Sequence, residues 1–190
     1  MLTLLLASKS PRRRQLLSQL GFPVRIVDVD VEEVVAPGIS TEYIASSLAL
    51  LKSKGFTSPI GADEVLVTAD TIVAHKGEVL GKPHDRQQAV SMLRSLSGDR
   101  HTVYTGVCLR NSRTQVLFTE KTEVVFRQLS NDTIEHYVEQ GTCFDKAGAY
   151  GIQEWIGMVG VERIEGCFYN VMGLPLSRLY DELRQLSCRS

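Results

Sequence analysis

The sequence predicts a mixed α/β fold, and three observations carry this prediction. Two strand-then-helix units stand near the N-terminus, a hairpin of two long strands lies in the middle, and capped helices occupy much of the later chain. Such alternation is typical of a mixed sheet covered by flanking helices. With 190 residues the chain is long enough for one sizeable core, so we expect a single domain, residues 1–190, built as two lobes.

The first unit is a short strand followed by a helix with clear start signals. The apolar run at residues 2–7 is typical of a buried strand. Ser10 is the predicted N-cap and Pro11 the first helical residue, while Gly21 is expected to stop the helix. Leu16, Leu17 and Leu20 should face the core.

The later elements are predicted from apolar periodicity and from the turn residues between them. Strands are expected at residues 24–30, 65–74, 101–110 and 115–127, with a strand pair before the last helix. Helices are expected at about residues 41–55, 85–96, 130–140 and 176–186. The glycine-rich stretch 145–151 is predicted to be a loop.

Three arginines, residues 12–14, fall in the first turn of the first helix. The helix dipole disfavours a cation there by roughly 0.3–1 kcal/mol, so stability alone does not explain them. Helix N-terminal amides together with guanidinium groups form an anion site, and phosphate is the commonest such anion. A solvated basic turn is the alternative, and composition alone does not decide between the two.

Composition excludes several classes of protein. Charged residues make up 23% of the chain and the net charge is −1, whereas general nucleic-acid surfaces carry excess positive charge, so no nucleic-acid partner is expected. The four cysteines form no CxxC pair, which favours reduced thiols in a cytoplasmic protein. The N-terminal apolar run is too short for a signal peptide, and no stretch is long enough to span a membrane.

Asp70 is the strongest candidate for chemistry because it interrupts an apolar run. A buried carboxylate needs a metal, a cation or a protonation role, although an Asp that caps a strand end is the alternative. Glu32 and Glu33 are adjacent, so at most one should reach a shared site. Lys52 stands at the end of a predicted helix, where a cation also simply suits the dipole.

Two later segments carry candidate ligand-binding groups. Gly81-Lys82-Pro83 is not a phosphate loop, because the glycine spacing and the residue after the lysine are both wrong. Lys82 is a candidate point charge for a phosphate, or equally a surface lysine. In the loop that ends at Gln153, small residues allow close approach of a ligand, and the Gln amide offers a donor and an acceptor to a base edge. A tight strand connection is the alternative.

Together these segments resemble the Maf family of nucleoside triphosphate pyrophosphatases along nearly the whole chain. The similarity rests on segments whose joint order and spacing are specific: Ser8-Lys9-Ser10-Pro11-Arg12-Arg13, Glu33, Leu48-Ala49-Leu50-Leu51-Lys52, Ala69-Asp70-Thr71-Ile72-Val73, Gly81-Lys82-Pro83, residues 101–107, residues 145–153 and residues 170–175. Residues 145–153 look like the branch that hydrolyses dTTP and UTP, with other pyrimidine or modified nucleotides left open. The chain departs from the family pattern at two places. Glu154 follows Gln153 where the family commonly has Gly, and residues 140–144 also differ.

The resemblance implies a fold, a reaction and roles for individual residues. The expected fold is a mixed sheet with flanking helices in two lobes around a cleft, related to inosine triphosphate pyrophosphatase. The expected reaction is attack of water on the α-phosphorus, which gives a nucleoside monophosphate and pyrophosphate. It also implies a divalent metal cofactor, Mg²⁺ with Mn²⁺ as second candidate, and a homodimer.

The same resemblance assigns the candidate site. Asp70 is the expected catalytic proton acceptor, and Glu33 and Asp70 are the expected metal ligands. The residues expected to set substrate specificity are Arg12, Thr71 and Gln153. The residues expected to bind phosphate are Ser8, Arg13, Lys52 and Lys82. Loss of Arg13 is expected to weaken substrate use severely with little effect on stability.

Two other classes of function stay open at this point. One is a nucleotide-binding regulator of cell division or septum formation. The family takes its name from a link with inhibition of septum formation. The other is a nucleic-acid-binding module that uses the arginine turn, against which the near-neutral net charge counts.

Overall fold

The computed structural model describes residues 2–188, with side chains described to residue 186. The strands are β1 (Thr3–Leu6), β2 (Val24–Ile26), β3 (Glu64–His75), β4 (Glu78–Leu80), β5 (Arg100–Arg110), β6 (Gln115–Phe126) and β7 (Val161–Glu165). The helices are α1 (Pro11–Ser18), α2 (Thr41–Gly55), α3 (Arg86–Leu96), α4 (Asn131–Glu139), α5 (Trp155–Gly160), α6 (Phe168–Met172) and α7 (Leu176–Cys188). Short 3₁₀ turns occupy Thr142–Asp145 and Ala147–Ala149.

The strands form one mixed sheet, in the order β2-β1-β3-β5-β6-β7, with β4 paired to β3. β1 is parallel to both β2 and β3, with Leu4 opposite Val24 on one side and Val65 on the other. β3 and β4 are antiparallel, as are β6 and β7. The predicted α/β class with a mixed sheet and flanking helices is confirmed.

The chain divides into two compact units. Among the described residues, the first unit comprises residues 2–70, 105–120 and 173–188, and the second comprises residues 71–104 and 121–172. Each unit has its own buried apolar cluster: Leu5, Ala7, Phe56 and Leu66 pack together in the first. A cluster in the second includes Leu93, Phe126, Tyr137 and Ile156.

In the first unit, helix α2 lies directly against strand β5. A β-carbon at Gly106 would lie 2.2 Å from the backbone of Ala45 and Ser46, so only glycine allows this approach. Thr68 of β3 donates a hydrogen bond of 2.6 Å to the carbonyl of Ala49. These contacts fix the C-terminal half of α2 relative to β3.

Several predicted boundaries were wrong. The strand expected at residues 24–30 ends at Ile26, because its partner β1 ends at Leu6, opposite Ile26. The strand pair expected before the last helix is instead helix α5, the single strand β7 and helix α6. Short segments rich in both glycine and apolar residues carry too little periodicity to separate these cases.

The structure describes three of the four cysteine side chains. Cys108 and Cys143 are buried free thiols and Cys167 is a half-buried one, while the side chain of Cys188 lies outside the described residues. Across residues 2–188, no helix has both the length and the apolar character needed to cross a membrane.

Candidate functional site

The N-terminal turn of α1 is shaped by two serine side chains. Ser10 is the N-cap, and its hydroxyl accepts a hydrogen bond of 3.4 Å from the backbone N–H of Arg13. The Ser8 hydroxyl accepts a bond of 3.2 Å from the N–H of Ser10. The predicted capping is therefore confirmed, and it holds the arginine turn in one conformation.

Arg13 is anchored to the backbone of its own unit. Its guanidinium donates to the carbonyl of Ala69 and to the carbonyl of Gly173, both at 2.9 Å. Burial lowers the pKa of Arg13, and the charges of Asp70 and Glu33 oppose this while Arg12 adds to it. Arg13 therefore lies near both candidate carboxylates.

Lys52 links the two candidate carboxylates. Its Nζ lies 2.6 Å from Asp70 Oδ1 and 3.1 Å from Glu33 Oε1. The Lys52 and Asp70 side chains are each 15% exposed, whereas Glu33 is 51% exposed. Asp70 thus has the cationic partner that its burial required, and of the two adjacent glutamates the structure pairs Glu33 with this cluster.

The local fold explains why these side chains meet. Lys52 stands in the last turn of α2, three residues after Ala49, and Asp70 stands in β3, two residues after Thr68. The Thr68–Ala49 hydrogen bond joins the two elements one turn before this point. Lys52 therefore suits the helix dipole and also reaches Asp70. Its interpretation as a helix-end cation and its interpretation as a site residue are both compatible with the structure.

The donor set fits a divalent cation such as Mg²⁺. Glu33 and Asp70 offer carboxylate oxygens, and the Lys52 ammonium between them shows that both face a point where a cation is stabilised. Mg²⁺ is commonly held by one or two carboxylates, waters and substrate phosphates, without a full protein cage. Within the described part of the chain, no group of three or more His, Cys, Asp or Glu side chains is arranged to hold a metal.

The second unit contains the other three predicted site residues. Thr71 follows Asp70 directly in β3 and is half-buried, Lys82 is exposed in the turn after β4, and Gln153 is half-buried. The N–H of Gly148 donates to the carbonyl of Gly81 at 3.0 Å, which ties the Lys82 turn to the loop that leads to Gln153.

The same loop packs against strand β3. A β-carbon at Gly148 would lie 3.1 Å from Val73 Cγ1, and the backbone there has a φ of +70°. Both observations explain the glycine, because a side chain would be strained and crowded at this position. Val73 is two residues beyond Thr71, so the loop and Thr71 belong to the same neighbourhood of the second unit.

Sequence reasoning missed a polar cluster beside Gln153. Glu154 Oε2 accepts hydrogen bonds from the hydroxyl of Tyr137 and, at 3.0 Å, from that of Thr142. Its Oε1 lies 2.8 Å from the buried ammonium of Lys146. The departure of Glu154 from the family pattern was the one signal in the sequence that pointed to this cluster.

The fold and the site together define a class of protein. It is an α/β protein with a mixed sheet, and one of its two compact units contains a capped basic turn, a lysine and two carboxylates. The family model "Maf-like protein" matches residues 3–186, and the chain belongs to this family.

Curated relatives match nearly the whole chain. A Bacteroides fragilis protein named dTTP/UTP pyrophosphatase is 49% identical over 96% of this chain and 95% of its own. A Bacteroides thetaiotaomicron protein of the same name is 48% identical over 96% of this chain and 95% of its own.

A solved structure supports the fold alone. The Staphylococcus aureus Ham1 protein aligns over 96% of this chain and 98% of its own, with a TM-score of 0.54 and 15% sequence identity. The mixed sheet with its helices is therefore a known architecture.

Proposed function

We propose that this protein is a nucleoside triphosphate pyrophosphatase that hydrolyses dTTP and UTP to the nucleoside monophosphate and pyrophosphate. The observation that carries the proposal is similarity over 96% of the chain, at up to 49% identity, to relatives named dTTP/UTP pyrophosphatase. The gathering of Lys52, Arg13 and two carboxylates within the first unit supports it, because phosphoryl transfer depends on charge neutralisation and positioning.

In the proposed reaction a water oxygen attacks the α-phosphorus, and the bond from that phosphorus to the oxygen bridging to the β-phosphorus breaks. Pyrophosphate leaves with the electron pair of that bond. Asp70 accepts the proton of the attacking water through the carboxylate that contacts Lys52. Lys52 holds the carboxylate in place until the proton moves.

Cationic side chains would neutralise the triphosphate in this scheme. We assign phosphate contacts to Ser8, Arg13, Lys52 and Lys82. Arg13 is held by the carbonyls of Ala69 and Gly173, so it is pre-organised and loses little side-chain entropy on binding.

Glu33 and Asp70 are the side chains that would hold Mg²⁺, or Mn²⁺ in its place. When bound, the metal supplies neutralisation of the charge that develops on the phosphate oxygens. Glu33 is half-exposed and can move to such a cation more easily than the enclosed Asp70.

Recognition of the base is assigned to Arg12, Thr71 and Gln153. The Gln153 side chain can donate and accept at once, as the edge of uracil or thymine requires. Its loop is fixed to the turn of Lys82 through Gly148 and Gly81, so the amide is presented from an ordered segment.

We further propose that the protein works in the cytoplasm and as a homodimer. Three free thiols, two of them buried, suit a reducing compartment. Sedimentation of the purified chain tests the dimer directly.

A nucleotide panel tests the proposed function. The purified protein is incubated with Mg²⁺ and dTTP, UTP, CTP, ATP or GTP, and pyrophosphate and monophosphate are both quantified. We expect dTTP and UTP to exceed GTP by roughly 10-fold or more in kcat/KM. Nucleotide binding without turnover would instead support the regulator, and comparable turnover of GTP and UTP would remove the base assignment alone.

A further inference from the structure

The side chain of Glu154 is the centre of a polar network in the second unit, and two of its partners, Tyr137 and Lys146, are buried. It accepts from Tyr137 and Thr142 through Oε2 and pairs with Lys146 through Oε1. Lys146 is only 6% exposed and also contacts Asp145 Oδ1 at 2.6 Å. Tyr137 is fully buried. Buried polar groups such as these two are costly unless they are satisfied, so both depend on their contacts with Glu154.

The network reaches the backbone of the loop before Gln153. The Tyr137 hydroxyl donates to Glu154 and accepts from the N–H of Gly151 at 3.2 Å. Burial raises the pKa of Tyr137, and the hydrogen bond to Glu154 raises it further. The hydroxyl therefore stays protonated, and it connects the carboxylate to a peptide group two residues before Gln153.

Three side chains converge on one small space at Gly151. A β-carbon there would lie 2.8 Å from Glu154 Cδ, 2.9 Å from Lys146 Cε and 3.0 Å from Gln153 Nε2. The Gln153 amide is thus packed beside the ion pair of Glu154 and Lys146. A shift of that ion pair would move the amide.

We propose that Glu154 is a positioning residue that sets nucleobase discrimination, because it holds the loop and the amide of Gln153 in the conformation that contacts the base. This inference rests on the proposed function. Glu154 itself touches no substrate in this scheme. It acts through Tyr137, Lys146 and the backbone of Gly151 on Gln153.

The test measures discrimination rather than activity alone. For the parent, Glu154→Ala, Glu154→Gln and Tyr137→Phe, kcat/KM is measured with dTTP, UTP and GTP, and thermal unfolding is recorded alongside. We expect Glu154→Ala to reduce the dTTP-to-GTP ratio about 10- to 100-fold, since a small displacement of a positioning group costs this much. Glu154→Gln keeps an acceptor for Tyr137 and should restore most of the ratio.

Tyr137→Phe separates positioning from loss of the fold. It leaves the pair of Lys146 and Glu154 intact but removes the link to Gly151, so the protein stays folded while the ratio falls. Glu162→Ala is the matched control, because Glu162 is an exposed carboxylate of β7 in the same unit. Its ratio should equal that of the parent.

A double-mutant cycle decides whether Glu154 acts through Gln153. In a Gln153→Ala background, Glu154→Ala should change the ratio by less than about 2-fold, because the amide that it positions is gone. An active parent whose ratio is unchanged in Glu154→Ala and Tyr137→Phe, or a Glu154 effect that persists without Gln153, overturns the inference alone. A parent that releases no pyrophosphate from dTTP or UTP overturns the proposed function, and the inference with it.

Discussion

The Lys52 ammonium lies 2.6 Å from the carboxylate of Asp70, and both side chains are largely enclosed. The pair joins the last turn of helix α2 to strand β3 and stands beside the anchored guanidinium of Arg13. A carboxylate that interrupts an apolar strand thus has a cationic partner within its own unit. This relationship holds the Asp70 carboxylate in place before substrate arrives.

Asp70→Asn should abolish turnover while the protein still folds. We expect kcat to fall about 10²- to 10⁴-fold, because the change removes the proton acceptor but keeps the shape of the side chain. Pyrophosphate release from UTP with Mg²⁺ is the measurement.

The control for that variant is Asp63→Asn, which changes an exposed aspartate just before β3. Lys52 keeps Glu33 as a partner at 3.1 Å, so Asp70→Asn should cost only about 1–2 kcal/mol of the free energy of unfolding. Activity within a few-fold of the parent would reduce Asp70 to a structural partner of Lys52.

Arg13→Ala should lower stability, which reverses the expectation from sequence. The change leaves the carbonyls of Ala69 and Gly173 without this donor, and we expect a loss of about 2–3 kcal/mol in the free energy of unfolding. Urea unfolding measures this. Arg14→Ala is the control, since Arg14 is exposed in the same turn, and equal stability of the two variants would contradict the anchoring role.

Pyrophosphate should stabilise the protein through Lys52. A ligand that binds only the folded state raises the free energy of unfolding by about 2.7 kcal/mol at 100 times its Kd. We therefore expect pyrophosphate to raise Tm in the parent and to raise it much less in Lys52→Gln. Lys54→Gln, which changes an exposed lysine of the same helix, should respond like the parent. An undiminished shift in Lys52→Gln would exclude a phosphate contact at this residue.

Acid should destabilise the second unit through His101. Burial lowers the pKa of His101 from 6.5 to about 4, and its Nε2 lies 2.6 Å from the Tyr150 hydroxyl. Because the folded pKa is lower than the unfolded one, protonation favours unfolding. The stabilisation is complete above pH 6.5 and is lost as the pH falls towards 4, by up to roughly 3 kcal/mol.

His101→Gln tests that dependence. Its free energy of unfolding should change less between pH 6.5 and 4 than that of the parent, whereas His84→Gln, at an exposed position, should retain the full dependence. Identical pH profiles for the parent and His101→Gln would contradict the assignment.

Local signals predicted the parts of the fold that local chemistry controls. Ser10 and Pro11 start α1 as expected, because a capping hydroxyl and a proline act within one turn. The strand that contains Asp70 is also found where its apolar run predicts it. In contrast, β2 is shorter than its alternation indicates, because strand length depends on the partner strand.

The candidate site likewise has one part that the sequence predicted and one part that it did not. Residue types and the family resemblance identified Asp70, Lys52 and Glu33, and the structure brings these three together. The contact of Tyr137 with Glu154 joins residues 17 positions apart across α4 and the following loop. No periodicity or motif encodes such a contact, because it arises only when tertiary packing buries the tyrosine.

Hydrolysis of dTTP in water labelled with oxygen-18 tests the central claim most directly. Attack of water on the α-phosphorus places the label in dTMP and leaves the pyrophosphate unlabelled, and mass spectrometry of the two products distinguishes them. We predict labelled dTMP, formed at a rate that falls at least about 100-fold in Asp70→Asn. Label in pyrophosphate, or release of orthophosphate and dTDP, would contradict a pyrophosphatase that acts at the α-phosphorus.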